Sequence, residues 1–199
     1  MTTNTHAHEH HETGLLNSKV IFGFWVFVMT DVIMFAALFA TYAVLSGNTF
    51  GNIGVKQVAS LNYVLVQTLI MIASAFTYGI AMVNSLRNNS NKTMTWLGIT
   101  MLLGIAFFAM SYQGLDHLYA TGHSWQKSAF LSAYFTLVGL QAVHVIAALS
   151  WLFILMVQLP MQKFTTTMRT RLACFGLFWD FLVMLWLLIF AIVYLMGAV

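Results

Sequence analysis

Residues 24–39 read FWVFVMTDVIMFAALF. Fifteen of the sixteen are neutral, most of them large and apolar, and the sixteenth is Asp31. The run is too long and too oily for the strand or amphipathic helix of a soluble domain, and its carboxylate is costly wherever it sits. Two questions follow: how many such runs the chain has, and what a carboxylate does inside one.

The 199 residues are 60% hydrophobic, 15% aromatic and 7% charged. Soluble domains carry about 25% charged residues, so this is the composition of an integral membrane protein. The single cysteine, Cys174, excludes an internal disulfide and any multi-thiolate metal cluster within the chain. The net charge of +3 is small and bears on orientation, not on nucleic acid. The opening residues MTTNTHAHEHHETGLLNS lack an apolar core, so they are no signal peptide, and the first apolar run is expected to stay uncleaved.

A membrane helix needs about 20 mostly apolar residues. Five stretches qualify, near residues 20–45, 62–86, 93–112, 128–159 and 172–198. The expected fold is an all-α bundle of five transmembrane helices in one domain, residues 20–199, behind a mobile His-rich tail, residues 1–19. Connectors are expected at Ser46–Leu61, Arg87–Lys92, Gln113–Lys127 and Pro160–Arg171. One side of the membrane then holds Lys19, Arg87, Lys92, Lys163, Arg169 and Arg171, the other only Lys56 and Lys127. The positive-inside rule puts the N-terminus in the cytoplasm and the C-terminus in the periplasm. Tyr42, Tyr63, Tyr112, Tyr119, Trp125 and Tyr194 fall near the outer interface and Trp96 near the inner one, as an aromatic belt would.

Packed faces of membrane helices favour small and weakly polar residues. Gln67, Ser74, Tyr78, Ala81 and Ser85 make one such stripe on the second span. Thr100, Gly104, Phe107 and Ser111 make another on the third, and Ser128, Ser132, Thr136 and Gly139 on the fourth. On the first, Thr30–Asp31 and Thr41–Tyr42 share a face about three turns apart.

Three ionisable residues lie well inside the spans: Asp31, His144 and Asp180. At 1.5 Å per residue their depths are roughly 17, 21 and 12 Å from the cytoplasmic side, so Asp31 and His144 are expected to meet near mid-membrane. Gln141, one turn from His144, is placed to join them, and Gln67 and Asp180 complete the candidate polar cluster. Three roles are open to it: a structural cluster, a proton relay, or a metal or haem site. Haem ligation asks for histidines and a dinuclear centre for Glu and His on several helices. With one histidine in all five spans, no catalytic, cofactor or metal residue is assigned. His6, His8, His10 and His11 of the tail have the types of a loose Zn or Cu binder without a supporting shell. Asp116, His117 and His123 are expected in a solvated outer loop.

FGFWVFVMTDVIMFAALFATYAVL (22–45), FLSAYFTLVGLQAVHV (130–145) and RTRLACFGLFWDFLVMLWLLIFAIVYLMGAV (169–199) resemble the first, fourth and final spans of subunit III of the haem-copper respiratory oxidases. The five-span form in the cytochrome bo-type ubiquinol oxidases, with its His-rich tail, is the nearest likeness. The resemblance implies a non-catalytic accessory subunit in a bacterial inner membrane. It also implies haems and copper in a partner subunit I, further subunits II and IV, and bound phospholipid. The chain would stabilise subunit I and support proton uptake in a complex that oxidises ubiquinol, reduces oxygen and pumps protons. Alternatives are the equivalent subunit of a cytochrome c oxidase or nitric oxide reductase, and, more remotely, a small transporter or proton channel.

The sequence departs from that family's pattern at several polar sites. Gln67 stands where a Glu is usual, and Gln141 where the first His of G-x-H-x-x-H-V would be. Trp179 is followed by Asp180, with Val183 in place of an Asp, and Ser111 and Gly114 stand where acids are common. Asp31 and His144 match, which marks them as the remnant that packing still needs.

Overall fold

A computed structural model describes residues 3–46, 61–120, 128–162 and 165–195, with side chains from Ser18 onward except that of Gln162. Lys56, His123, Trp125, Lys127 and Lys163 lie outside the described residues, as do the side chains of His6, His8, His10 and His11.

Five helices account for nearly all of it: α1 (Thr3–Leu45), α2 (Leu61–Leu86), α3 (Ser90–Ala120), α4 (Ala129–Gln162) and α5 (Thr166–Ile189). The last loosens into a π-helical turn, Phe190–Leu195, with Val193 and Tyr194 buried. Each holds a stretch long and apolar enough to cross a bilayer, of 28, 26, 31, 33 and 30 residues in order. Lipid offers no partner for backbone N–H and C=O groups, so a spanning segment must satisfy them internally, as a helix does.

Several boundaries differ from the expected ones. α3 continues to Ala120, so Asp116 and His117 stand on its last turns and not in a loop. Nothing between Gln113 and Ala120 breaks a helix. Pro160, expected in a connector, lies inside α4. It sits in the final turn, where a missing N–H costs a single backbone bond. α5 begins at Thr166, because Thr165 caps it by accepting a hydrogen bond from the Met168 amide at 3.3 Å. Ser128 caps α4 likewise, accepting from the Leu131 amide at 3.1 Å.

The α2–α3 turn is short because Asn88 takes a left-handed backbone (φ 58°), which asparagine tolerates better than most residues. Arg169 donates to the Asn88 side chain at 2.7 Å, and Arg171 to Gln158 at 2.8 Å. Both bonds gather the same ends of α2, α4 and α5.

Helix neighbours give the topology. α2 packs on α3, α3 on α4, α4 on α5 and α5 back on α2, closing a four-helix ring. α1 lies outside it, against α4 and α5. The burial follows: 17% of the apolar window of α1 is buried, against 56% of that of α5. On α1, Val28, Asp31, Phe35 and Tyr42 face inward while Thr30 and Thr41 face out.

The stripes on α2 and α3 are buried as expected. The one on α4 is buried only at Ser128 and partly at Gly139. Ser132 and Thr136 are exposed, and the packed face carries Phe130, Leu131, Tyr134, Leu137 and Val138 instead. The Thr136 hydroxyl donates to the Ser132 carbonyl one turn back at 2.8 Å, so it needs no partner from another helix. Of the expected belt, Tyr112 and Tyr119 are exposed, whereas Tyr42 and Tyr194 are core residues.

Candidate functional site

Asp31 stands midway along the span of α1, and His144 midway along that of α4. Their Oδ2 and Nε2 atoms lie 3.8 Å apart, an ion-pair separation too long for a hydrogen bond. Asp31 is buried at 8% exposure, and its Oδ2 has no hydrogen-bond partner among the described residues.

The other nitrogen of His144 decides the chemistry. Nδ1 lies 2.9 Å from the Leu140 carbonyl one turn back. A carbonyl only accepts, so Nδ1 carries the proton of the neutral ring and the Nε2 lone pair faces Oδ2. Two lone pairs repel.

Aromatic rings close around it. Phe35 meets His144 edge-on with centroids 5.4 Å apart, and Phe178 lies 6.3 Å away. Phe24, Trp151, Phe175 and Trp179 continue the stack along the seam. Rings of this kind exclude water and bury large areas, but they offer a proton nowhere to go.

The remaining candidates do not join the pair. Gln141 is buried, and its amide donates to the Leu182 carbonyl of α5 at 3.0 Å, leaving Oε1 without a partner. Gln141 thus meets α5 beside Val183, so two departures from the family pattern lie on facing turns. Gln67 is on the far side of the ring, where its amide donates to the Ser111 hydroxyl on α3. Asp180, midway along α5, is exposed on the outer surface of the bundle. The expected single cluster is one ionisable pair and three separate groups.

Between α5 and its neighbours runs a second polar system with no charge in it. The Trp179 indole donates to Ser74 at 3.2 Å, and Ser74 donates to the Met71 carbonyl at 2.6 Å. The Trp186 indole donates to Thr68 at 3.1 Å, and Thr68 donates to the Val64 carbonyl at 2.8 Å. Each α2 hydroxyl gives its proton to its own helix and its lone pair to a tryptophan of α5. The Tyr78 hydroxyl donates to the Leu172 carbonyl at 2.6 Å, and Tyr134 and Tyr194 share a hydrogen bond of 2.6 Å. Gln67, Ser111, Tyr63, Tyr134, Tyr194 and Trp186 border a cavity of about 20 Å³, room for one water.

These bonds were not foreseen. The available signal was the pair Trp179 and Trp186, seven residues apart on one helix face, each with an N–H that a core must satisfy. Gly104 completes the arrangement: a Cβ there would come within 2.8 Å of both Leu149 and Trp179. Among the described residues, no three His, Cys, Asp or Glu side chains come together.

Comparison with known proteins agrees with this architecture. The family described as cytochrome c oxidase subunit III matches residues 1–198. Subunit 3 of the cytochrome bo(3) ubiquinol oxidase of Pseudomonas aeruginosa is 44% identical over 97% of this chain and 91% of its own length. The Pseudomonas putida protein of the same name is 41% identical over 94% and 89%. Cytochrome c oxidase subunit 3 of Alkalihalophilus pseudofirmus is 35% identical over 94% and 92%. A family match along almost the whole chain, on a multi-pass helical bundle of a bacterial inner membrane, assigns this protein to the cytochrome c oxidase subunit III family, the third subunit of the haem-copper oxidases.

Proposed function

We propose that this chain is subunit III of a proton-pumping ubiquinol oxidase, held beside a subunit I that carries the haems and copper and accompanied by subunits II and IV. The observation that carries the reading is the 44% identity to a bo(3) ubiquinol oxidase subunit along nearly the full length of both chains. The chain's own part is structural: it sets a helical bundle against subunit I, supports proton uptake there and retains phospholipid. Its N-terminus lies in the cytoplasm, as the bias of six basic residues against two supports.

Within the chain, Asp31 and His144 act as a clamp. They join the outlying α1 to α4 at mid-membrane, where either group alone would be costly. The ring of aromatics supports a clamp over a relay, as does the lack, among the described residues, of any hydrogen bond from the pair to the Ser74–Trp179 system.

Purification in mild detergent through a tag on this chain tests the assignment. A large haem-bearing subunit with ubiquinol oxidase activity is the expected product, and a homo-oligomer without haem would refute it. The cytochrome c oxidase subunit among the relatives favours one second reading, oxidation of cytochrome c. Assaying the same preparation with ubiquinol and with reduced cytochrome c separates the two.

A further inference from the structure

Asp180 is out of place on the surface of a membrane helix. It lies midway along the 30-residue span of α5, about 21 Å from Thr166 and about 12 Å from Leu172, where the apolar run begins, at 1.5 Å per residue. No short side chain can snorkel from there to water. Among the described residues, the other exposed charged groups, Lys19, Arg87, Lys92, Asp116 and Arg171, all stand near the ends of the membrane-spanning stretches, within reach of water or headgroups. Asp180 makes no hydrogen bond or ion pair with any described residue.

Its surroundings form a strip. α5 is wrapped by α1, α2 and α4, and what stays open is Asp180 with Met184 (69% exposed), Leu187 and Leu188, at helical spacing on one face. The most buried helix of the bundle thus leaves one narrow window, with a carboxyl group at one end of it. Exposed polar groups on the other helices are of a different kind: Thr30, Thr41, Thr136 and Ser150 bond carbonyls of their own helix and suit lipid. A carboxyl group has no such recourse. Ionised or neutral, it needs a partner from outside the chain, since polar groups at the bilayer centre face protein or water.

We propose that this strip of α5 is where the chain meets the haem-bearing subunit, and that a transmembrane helix of that subunit presents a cationic or hydrogen-bond-donating side chain to Asp180. The proposal rests on the oxidase assignment above and adds the face and the chemistry of contact.

The test uses the tagged complex with a photo-cross-linking amino acid at Met184, and, for comparison, at Leu102 of α3 or Phe153 of α4. The expected result is an adduct from Met184 to the haem-bearing subunit, identified by peptide mass, and none from the other two sites. In parallel, Asp180→Leu is expected to lower the haem recovered per tagged chain about tenfold, with Asp180→Asn, which keeps hydrogen bonding, losing less. If haem co-purifies but Met184 gives no such adduct, the proposal fails and the assignment stands. Asp180→Leu leaving haem recovery unchanged or improved would equally overturn it, since that is how a lipid-facing position behaves. If no haem co-purifies with the unaltered chain, assignment and proposal fall together.

Discussion

The two seams of α5 are built on opposite principles. Toward α2 it is joined by neutral hydrogen bonds: two indoles on two hydroxyls, and a tyrosine on a backbone carbonyl. Toward α1 the seam is aromatic, and the polar contact that holds α1 to the bundle is the Asp31–His144 pair with α4. The first kind is redundant and short-range. The second concentrates its specificity in two atoms, which fits a helix with only 17% of its apolar window buried. Lipid is as apolar as leucine and does not drive helices together, so polar and close-packed contacts must choose the neighbours. A helix inside the ring is chosen many times over; α1 is chosen once.

That contrast is broken most severely at Trp179, which is fully buried and serves both sides of α5. Trp179→Ala is expected to cost about 3–5 kcal/mol, read as a fall in the thermal midpoint of the purified chain. Asp31→Ala should cost about 2–3 kcal/mol, because it strands a half-buried histidine. The double change Asp31→Leu with His144→Leu should recover most of that loss, since a well-packed apolar pair often replaces a buried ionic one without penalty. A double variant no better than the single would mean that the pair does more than hold two helices.

Smaller effects sharpen the same comparison. Thr68→Val keeps the shape but leaves the Trp186 indole without an acceptor, at about 1 kcal/mol by thermal denaturation. Ser74 and Trp179 should mask part of it, and a loss as large as that at Asp31 would deny the redundancy of this seam. Thr136→Val, on the exposed face of α4, should change the midpoint by less than about 0.5 kcal/mol. A larger loss would mean that its hydroxyl does more than bond the preceding turn.

How much of this was legible in the sequence depended on what each residue could do alone. The stripes of α2 and α3 were legible because glutamine, tyrosine and glycine in a span have few uses besides packing: Gly104 must admit Trp179 and Gln67 must find Ser111. The α4 stripe misled because serine and threonine satisfy themselves on the preceding turn, so they mark packed and lipid faces alike. Counting residues along the helix gave the meeting of Asp31 and His144, since depth needs only a rise per residue. It placed Asp180 within the membrane too, but height says nothing of which way a side chain points. That direction follows from which helices surround α5, and those contacts join residues far apart in the chain. The helix ends beyond the bilayer, at Asp116, His117 and Pro160, were missed because hydropathy falls there while helical hydrogen bonding continues.

The claim that Asp31 clamps α1 and does not pass protons is tested most directly by Asp31→Asn in the fully assembled oxidase. Initial turnover and protons pumped per electron are measured on fresh enzyme, then followed through sustained turnover. A clamp predicts near-normal values at the start and a shortened active lifetime as α1 works loose. An immediate, sharp loss of pumping in a complex that still holds all its haem would contradict it.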